Sequence, residues 1–150
     1  VQKAMILLGS KSDYELCSQM ETIFKEFGVD YELHISSAHR KPEQTAKLAK
    51  EAEARGFGVI IACAGLAAHL PGVVAAHTIL PVIGVPLKGG ALNGIDALYS
   101  VVQMPGGVPV ATVAIDGIKN AAYLAIQILG TDSQELRSKM RAFKESMASA

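Results

Sequence analysis

The sequence predicts an α/β fold in three layers: a doubly wound parallel sheet of five strands in the order 2-1-3-4-5, with an extra C-terminal helix. Three observations predict it. Apolar runs recur along the 150 residues at roughly 25-residue intervals, each followed by a helix pattern, as in a βα repeat with right-handed crossovers. Two of them, Ala4-Met5-Ile6-Leu7-Leu8 and Val59-Ile60-Ile61-Ala62-Cys63, are continuously apolar, as strands covered on both faces must be. A third, Tyr31-Glu32-Leu33-His34-Ile35, alternates apolar and polar residues and belongs at a sheet edge.

The remaining elements follow in order. After Gly9, Ser12 or Asp13 is placed to cap a helix whose Leu16, Met20, Ile23 and Phe27 repeat at helical spacing until Gly28 stops it. Pro42 opens a charged helix that ends near Gly56. Gly65 leads into a small-residue helix around residues 73–77, and Pro81-Val82-Ile83-Gly84-Val85 is a fourth strand. A glycine-rich loop over residues 88–94 precedes a helix to Val102; a fifth strand is expected over 108–115 and an apolar helix over 120–129. With the polar second strand at an edge, the strand order is the flavodoxin-like one, which binds ligands at the carboxyl ends of its strands.

Residues 1–150 make one domain. Its last part, 131–150, holds a helix capped by Asp132, with Leu136, Met140, Phe143 and Met147 in one stripe and no strand after it. Half of the residues are apolar, 19% are charged, and mean hydropathy is +0.29. So lean a surface points to contacts between subunits, and the last helix packs either on its own domain or, as that surface favours, on a neighbour.

Formal net charge is zero with no basic run, which argues against duplex nucleic acid or an anionic membrane as partner. The longest apolar stretch, 59–76, contains His69, Pro71 and two glycines, which is wrong for a membrane span. Cys17 and Cys63 have no metal or redox spacing and read as buried free thiols, in keeping with a reducing cytosol. The first residues show neither the basic start nor the cleavage site of a signal peptide, so none is expected.

The chemistry concentrates at the turns. Ser36-Ser37-Ala38-His39-Arg40 lies between the second strand and the helix of Pro42, at the binding edge. An imidazole there suits general acid–base work at neutral pH, and a guanidinium suits a phosphate or carboxylate. A surface histidine beside a helix-flanking charge is the plainer alternative. Gly9-Ser10-Lys11-Ser12-Asp13 offers amides and hydroxyls for an anion, or simply a helix cap. Gly65-Leu66-Ala67-Ala68-His69-Leu70-Pro71-Gly72 lets a planar ligand approach the backbone, or serves tight packing. His69 reads either as a second ligand-facing imidazole or, slightly preferred, as a structural hydrogen-bonder. The loop over 88–94 has the glycines of a hinged lid. Neither a Walker A loop nor a G-x-G-x-x-G fingerprint is present, and no metal-ligand spacing.

Taken together, Gly9-Ser10-Lys11-Ser12-Asp13, Ser37-Ala38-His39-Arg40, Ala67-Ala68-His69-Leu70-Pro71-Gly72, Ala91-Leu92-Asn93-Gly94 and Gln103-Met104-Pro105-Gly106-Gly107 resemble the bacterial N5-carboxyaminoimidazole ribonucleotide mutases of de novo purine synthesis. That family is also called the catalytic subunit of phosphoribosylaminoimidazole carboxylase. The resemblance runs from about Ala4 to Gly130. It implies a carboxylate transfer from the exocyclic nitrogen of an aminoimidazole ribonucleotide to ring carbon 4, without ATP, metal or organic cofactor, in a cytoplasmic homo-octamer. His39 would be catalytic. Ser10, Asp13 and Arg40 would hold the ribose phosphate, and Ser12, Ser37, Ala38, Gly65, Ala67, His69, Leu70 and Gly72 would complete the substrate site. The sequence departs from the family pattern at Leu66, where a glycine is usual, and at Lys88-Gly89-Gly90, where a more polar set is common. A sister class that carboxylates aminoimidazole ribonucleotide directly typically has Lys after the histidine and lacks the Ala-His-Leu-Pro-Gly run. Arg40 and residues 68–72 favour the mutase. A non-enzymatic nucleotide- or flavin-binding module of the same fold is the reading from another class.

Overall fold

The computed structural model describes residues 2–150. Five parallel strands form one sheet in the order β2-β1-β3-β4-β5, as the sequence predicts. They are β1 Lys3–Leu8, β2 Tyr31–Ile35, β3 Phe57–Gly65, β4 Val82–Leu87 and β5 Ala111–Thr112. The helices are α1 Tyr14–Cys17, α2 Gln19–Phe27, α3 Pro42–Glu51, α4 Leu70–His77, α5 Ile95–Val102, α6 Ile118–Gly130 and α7 Gln134–Ala148.

Alternation along the central strands builds two cores. Ala4, Ile6, Leu8, Val59, Ile61 and Cys63 face α2 and α6, while Met5, Leu7, Ile60 and Ala62 face the layer of α3, α4 and α5. β2 at the edge is only half-buried. Register fixes where the turns go: Leu8 pairs with both Ile35 and Cys63, and Gly65 pairs with Leu87. The exits of β1, β2, β3 and β4 therefore lie side by side along one edge of the sheet. Cys17 and Cys63 are free and buried, and a hydrogen bond with Cys17, then burial, pushes the Cys63 thiol up.

The structure corrects several boundaries. The fifth strand shrinks from 108–115 to two residues, because Pro109 has no N–H to give the ladder and Gly106-Gly107 turn the chain before it. The first long helix is interrupted at Ser18, whose Oγ donates to the carbonyl of Glu15 at 2.7 Å. Ser133, not Asp132, caps α7, its Oγ accepting the amide of Leu136.

The stripe of α7 meets its own domain. Leu136 is buried, Met140 and Phe143 lie on the chain's own core, and the Phe143 ring stacks on Tyr123 at 4.6 Å. Arg137 donates to the carbonyls of Gly130 and Thr131 at the end of α6, and Lys139 Nζ to that of Phe27 at 3.0 Å. These contacts satisfy helix-end carbonyls that otherwise need water. Only Met147, at the end of the stripe, stays half exposed. Ile79, Leu92 and Tyr99 are the large apolar side chains that most face solvent.

Candidate active site

The turn after β1 is a one-turn 3-10 helix, Lys11–Asp13. Ser10 caps it: its backbone is extended, its Oγ accepts the Ser12 amide at 3.3 Å, and that Oγ lies 3.0 Å from the Ser12 hydroxyl. Asp13 holds the N-cap position of α1, one of the two expected from the sequence, but its side chain makes no capping hydrogen bond, and Ser10 caps only the 3-10 turn before it. Asp13 is left half-buried. Burial raises its carboxyl above the usual range, a backbone hydrogen bond at Ser10 works the other way, and the charge of Asp116 adds to the rise.

The turn after β2 is built on a buried polar pair. Ser36 and Thr45 are fully buried, and their hydroxyls meet at 2.7 Å. The Ser36 amide donates to the Leu8 carbonyl, which ties the turn to β1. Ser37 then closes the turn, its carbonyl accepting the Lys41 amide at 2.8 Å and its Oγ the Arg40 amide at 3.1 Å. With the backbone so occupied, the side chains of His39 and Arg40 project outward, and both residues are exposed.

The turn after β3 starts with Leu66 in the left-handed region, φ 55°. The amides of Ala68 and His69 donate to the carbonyls of Leu66 and Ala67, at 2.9 and 2.8 Å. This double turn delivers His69 to the N-terminal end of α4. His69 Nδ1 lies 2.6 Å from His39 Nε2, with the two rings near perpendicular. His69 thus makes a hydrogen bond and also lines the cavity.

These turns enclose a cavity of about 530 Å³ at the carboxyl edge of the sheet. That is the range of a small-molecule site. Ser10, Ser12, Asp13, Ser37, Ala38, His39, Arg40, Gly65, Ala67, His69 and Leu70 all line it. Gly72 does not. It lies one turn into α4, where an added Cβ would meet the Met104 side chain at 3.1 Å, so its smallness serves packing. Four further residues complete the wall without having been named for the substrate site: Gly9 just after β1, Ala64 near the end of β3, Leu87 at the end of β4 and Lys88 just after it. Position in the βα repeat was the signal that could have found them. Leu66, Gly89 and Gly90 form the mouth. The Lys88 amide donates to Asp116 Oδ1 at 2.8 Å, anchoring the root of the loop that carries Gly89 and Gly90.

Chemically the cavity is two-sided. Arg40 and Lys88 supply cations, the Ser10–Ser12 turn supplies hydroxyls, and the paired imidazoles face small, apolar Ala38, Ala64 and Ala67. Such a surface suits an anionic head with a planar body and a proton to move.

Known proteins resemble this chain over nearly its whole length. The family model of AIR carboxylase matches residues 3–150. The N5-carboxyaminoimidazole ribonucleotide mutase of Saccharolobus solfataricus is 58% identical over 97% of this chain and 92% of its own length. That of Pyrococcus horikoshii is 56% identical over 95% of this chain and 80% of its own. The crystal structure of Treponema denticola PurE superposes with a TM-score of 0.88 at 32% identity, over 97% of this chain and 91% of that one. The chain belongs to the AIR carboxylase family.

Proposed function

We propose that the protein is an N5-carboxyaminoimidazole ribonucleotide mutase of purine biosynthesis, an isomerase that forms 4-carboxy-5-aminoimidazole ribonucleotide without ATP or a cofactor. The observation that carries the reading is the His39–His69 contact at 2.6 Å beside a cationic, hydroxyl-rich turn. The relatives of that name support it.

In this reading Arg40, Ser10 and Ser12 hold the phosphate, and Asp13 accepts from the ribose hydroxyls. The bond from the exocyclic nitrogen to the carboxylate breaks, its electron pair stays on nitrogen, and carbon dioxide is set free inside the cavity. Protonated His39 gives its proton to that nitrogen. Ring carbon 4 then attacks the carbon dioxide, and neutral His39 removes the carbon 4 proton so that the ring regains aromaticity. The imidazole ends as it began. His69 holds the other end of the hydrogen bond and orients His39 through both transfers. The walls of Ala38, Ala64, Ala67 and Leu70 carry no side-chain group that would hydrate the gas.

The same reading takes the working form to be a cytoplasmic homo-octamer. Ile79 at 82% exposure, Tyr99 at 62% and Leu92 at 60% supply apolar surface for subunit contacts, and the two buried free thiols suit a reducing compartment. Light scattering that gives a stable monomer overturns the assembly. The activity is tested by a stopped assay without ATP on two substrates. Product from N5-carboxyaminoimidazole ribonucleotide at low bicarbonate establishes the mutase. Product only from aminoimidazole ribonucleotide with added carbon dioxide makes the protein a direct carboxylase instead, and product from neither leaves a binding module.

A further inference from the structure

Leu66 combines three properties that are rarely found together. Its φ of 55° is one that glycine adopts freely and a leucine adopts under strain. Its side chain is 57% exposed, so burial in a core does not hold it there. And it stands at the mouth of the cavity, between the strand that leads to His69 and the glycine loop after β4. The turn geometry alone gives no reason for a side chain, because Ala68 and His69 bond only to backbone carbonyls at Leu66 and Ala67. A strained, exposed apolar residue at a functional site points to work done by its side chain.

What that side chain meets is Gly90. A Cβ built on Gly90 would lie 2.8 Å from Leu66 Cδ2, so the leucine occupies the space that a larger residue in the loop would need. Gly90 is itself left-handed, at φ 63°. The loop is fixed at its root through Lys88 and Asp116, and Gly94 at its far end nearly touches Lys88 Cα, 3.2 Å from the position of an added Cβ. Its tip thus hangs from a narrow neck, and the Leu66–Gly90 contact ties it across the mouth.

We infer that Leu66 is the latch of this cavity, a positioning residue whose isobutyl group holds the Gly89-Gly90 segment of the loop at the mouth. The consequence for chemistry rests on the proposed mutase reading: a latched mouth keeps the freed carbon dioxide beside carbon 4, and an unlatched one lets it exchange with the solution. The latch itself does not depend on that reading.

The test separates the two. The chain has no tryptophan, so Ala91→Trp places a lone fluorophore beside the tip. In that background Leu66→Gly and Leu66→Ala should each raise acrylamide quenching of the tryptophan about threefold, as local restraint is lost. Leu66→Gly relieves the backbone strain and should leave the melting temperature unchanged or higher, which removes misfolding as an explanation. Gly90→Ala should raise quenching with Leu66 present and change little in the Leu66→Gly protein, since the two act through one contact. Equal quenching in all backgrounds overturns the latch. In the native chain, turnover of N5-carboxyaminoimidazole ribonucleotide in labelled bicarbonate should give product with little label, and Leu66→Gly product with about fivefold more. Unchanged label in an active Leu66→Gly enzyme also overturns the latch, whereas a wild-type protein without turnover overturns the mutase reading and leaves the quenching result to decide on Leu66.

Discussion

His39 Nε2 and His69 Nδ1 stand 2.6 Å apart although 30 residues separate them. At that distance one proton lies between the two nitrogens, since two N–H groups facing each other would repel. The contact exists because β2 and β3 each end level with β1, so that two turns distant in sequence share one edge. If the pair acts as a unit, its members are not additive. His39→Asn should lower turnover by about 10³-fold with ligand affinity kept, and His69→Asn by a smaller factor. The double variant should be no worse than His39→Asn alone, and steady-state kinetics on the three proteins decides it. Independent losses that multiply would separate the two residues' roles.

Arg40 faces the cavity with no carboxylate within ion-pair distance among the described residues, so its guanidinium is free for a ligand. Arg40→Met should weaken binding of the phosphate-bearing substrate by about 2 kcal/mol, the worth of a charge-assisted hydrogen bond, or roughly 30-fold in KM. Arg40→Lys should recover only part of that, because an ammonium lacks the planar fork. Inorganic phosphate as a competitive inhibitor gives an independent reading, and it should lose potency in step with the substrate.

Behind His39 the buried Ser36–Thr45 pair sets the turn. Thr45→Val keeps the shape but leaves the Ser36 hydroxyl without its partner in a dry site. It should cost about 2 kcal/mol of stability, seen as a lower melting temperature. Removing both hydroxyls in Ser36→Ala/Thr45→Val should restore most of the loss, because the penalty lies in the orphaned group. A double variant as unstable as the sum of the singles would mean that Thr45 works mainly through its other contacts, with the carbonyls of Lys41 and Ser37.

How much of this was legible in the sequence depends on the range of the force involved. The sheet order was legible because continuous apolar runs at β1 and β3 and an alternating one at β2 fix which strands are covered. The cavity wall was legible through its turns, because a βα repeat sends every exit to one edge. Which residue caps a turn was not, since Ser10, Ser12 and Asp13 all carry an acceptor, and backbone angles at Ser10 decide among them. Which residues of the chain α7 meets was not legible either. An apolar stripe states that Leu136 and Phe143 need cover, while the aromatic faces of Tyr123 and Phe27 that provide it are visible only in three dimensions. The same holds for Leu66: an unusual residue can be noted in a motif, but its left-handed φ and the Gly90 opposite appear only when the chain is folded.

Away from the cavity, Glu32 on edge strand β2 collects two cations, Lys3 at 3.1 Å and Arg55 at 2.7 Å, and the His34 imidazole at 3.0 Å. Burial works to raise its carboxyl, but the hydrogen bonds from Lys3, His34 and Arg55 outweigh it and bring the carboxyl down to about 2. A carboxylate lowered on folding stabilises the folded state at every pH above its ordinary value of 4.5, and that contribution is lost as pH falls through about 2. The site is partly open to solvent, which screens the charges and leaves a contribution of about 1 kcal/mol. Glu32→Gln should therefore melt about 3 °C lower than the parent at pH 7, with the gap closing between pH 4.5 and 2 and shrinking in high salt. Thermal melts of the two proteins across that range measure it. A gap that is constant with pH would show that Glu32 holds the edge strand by its shape and not by its charge.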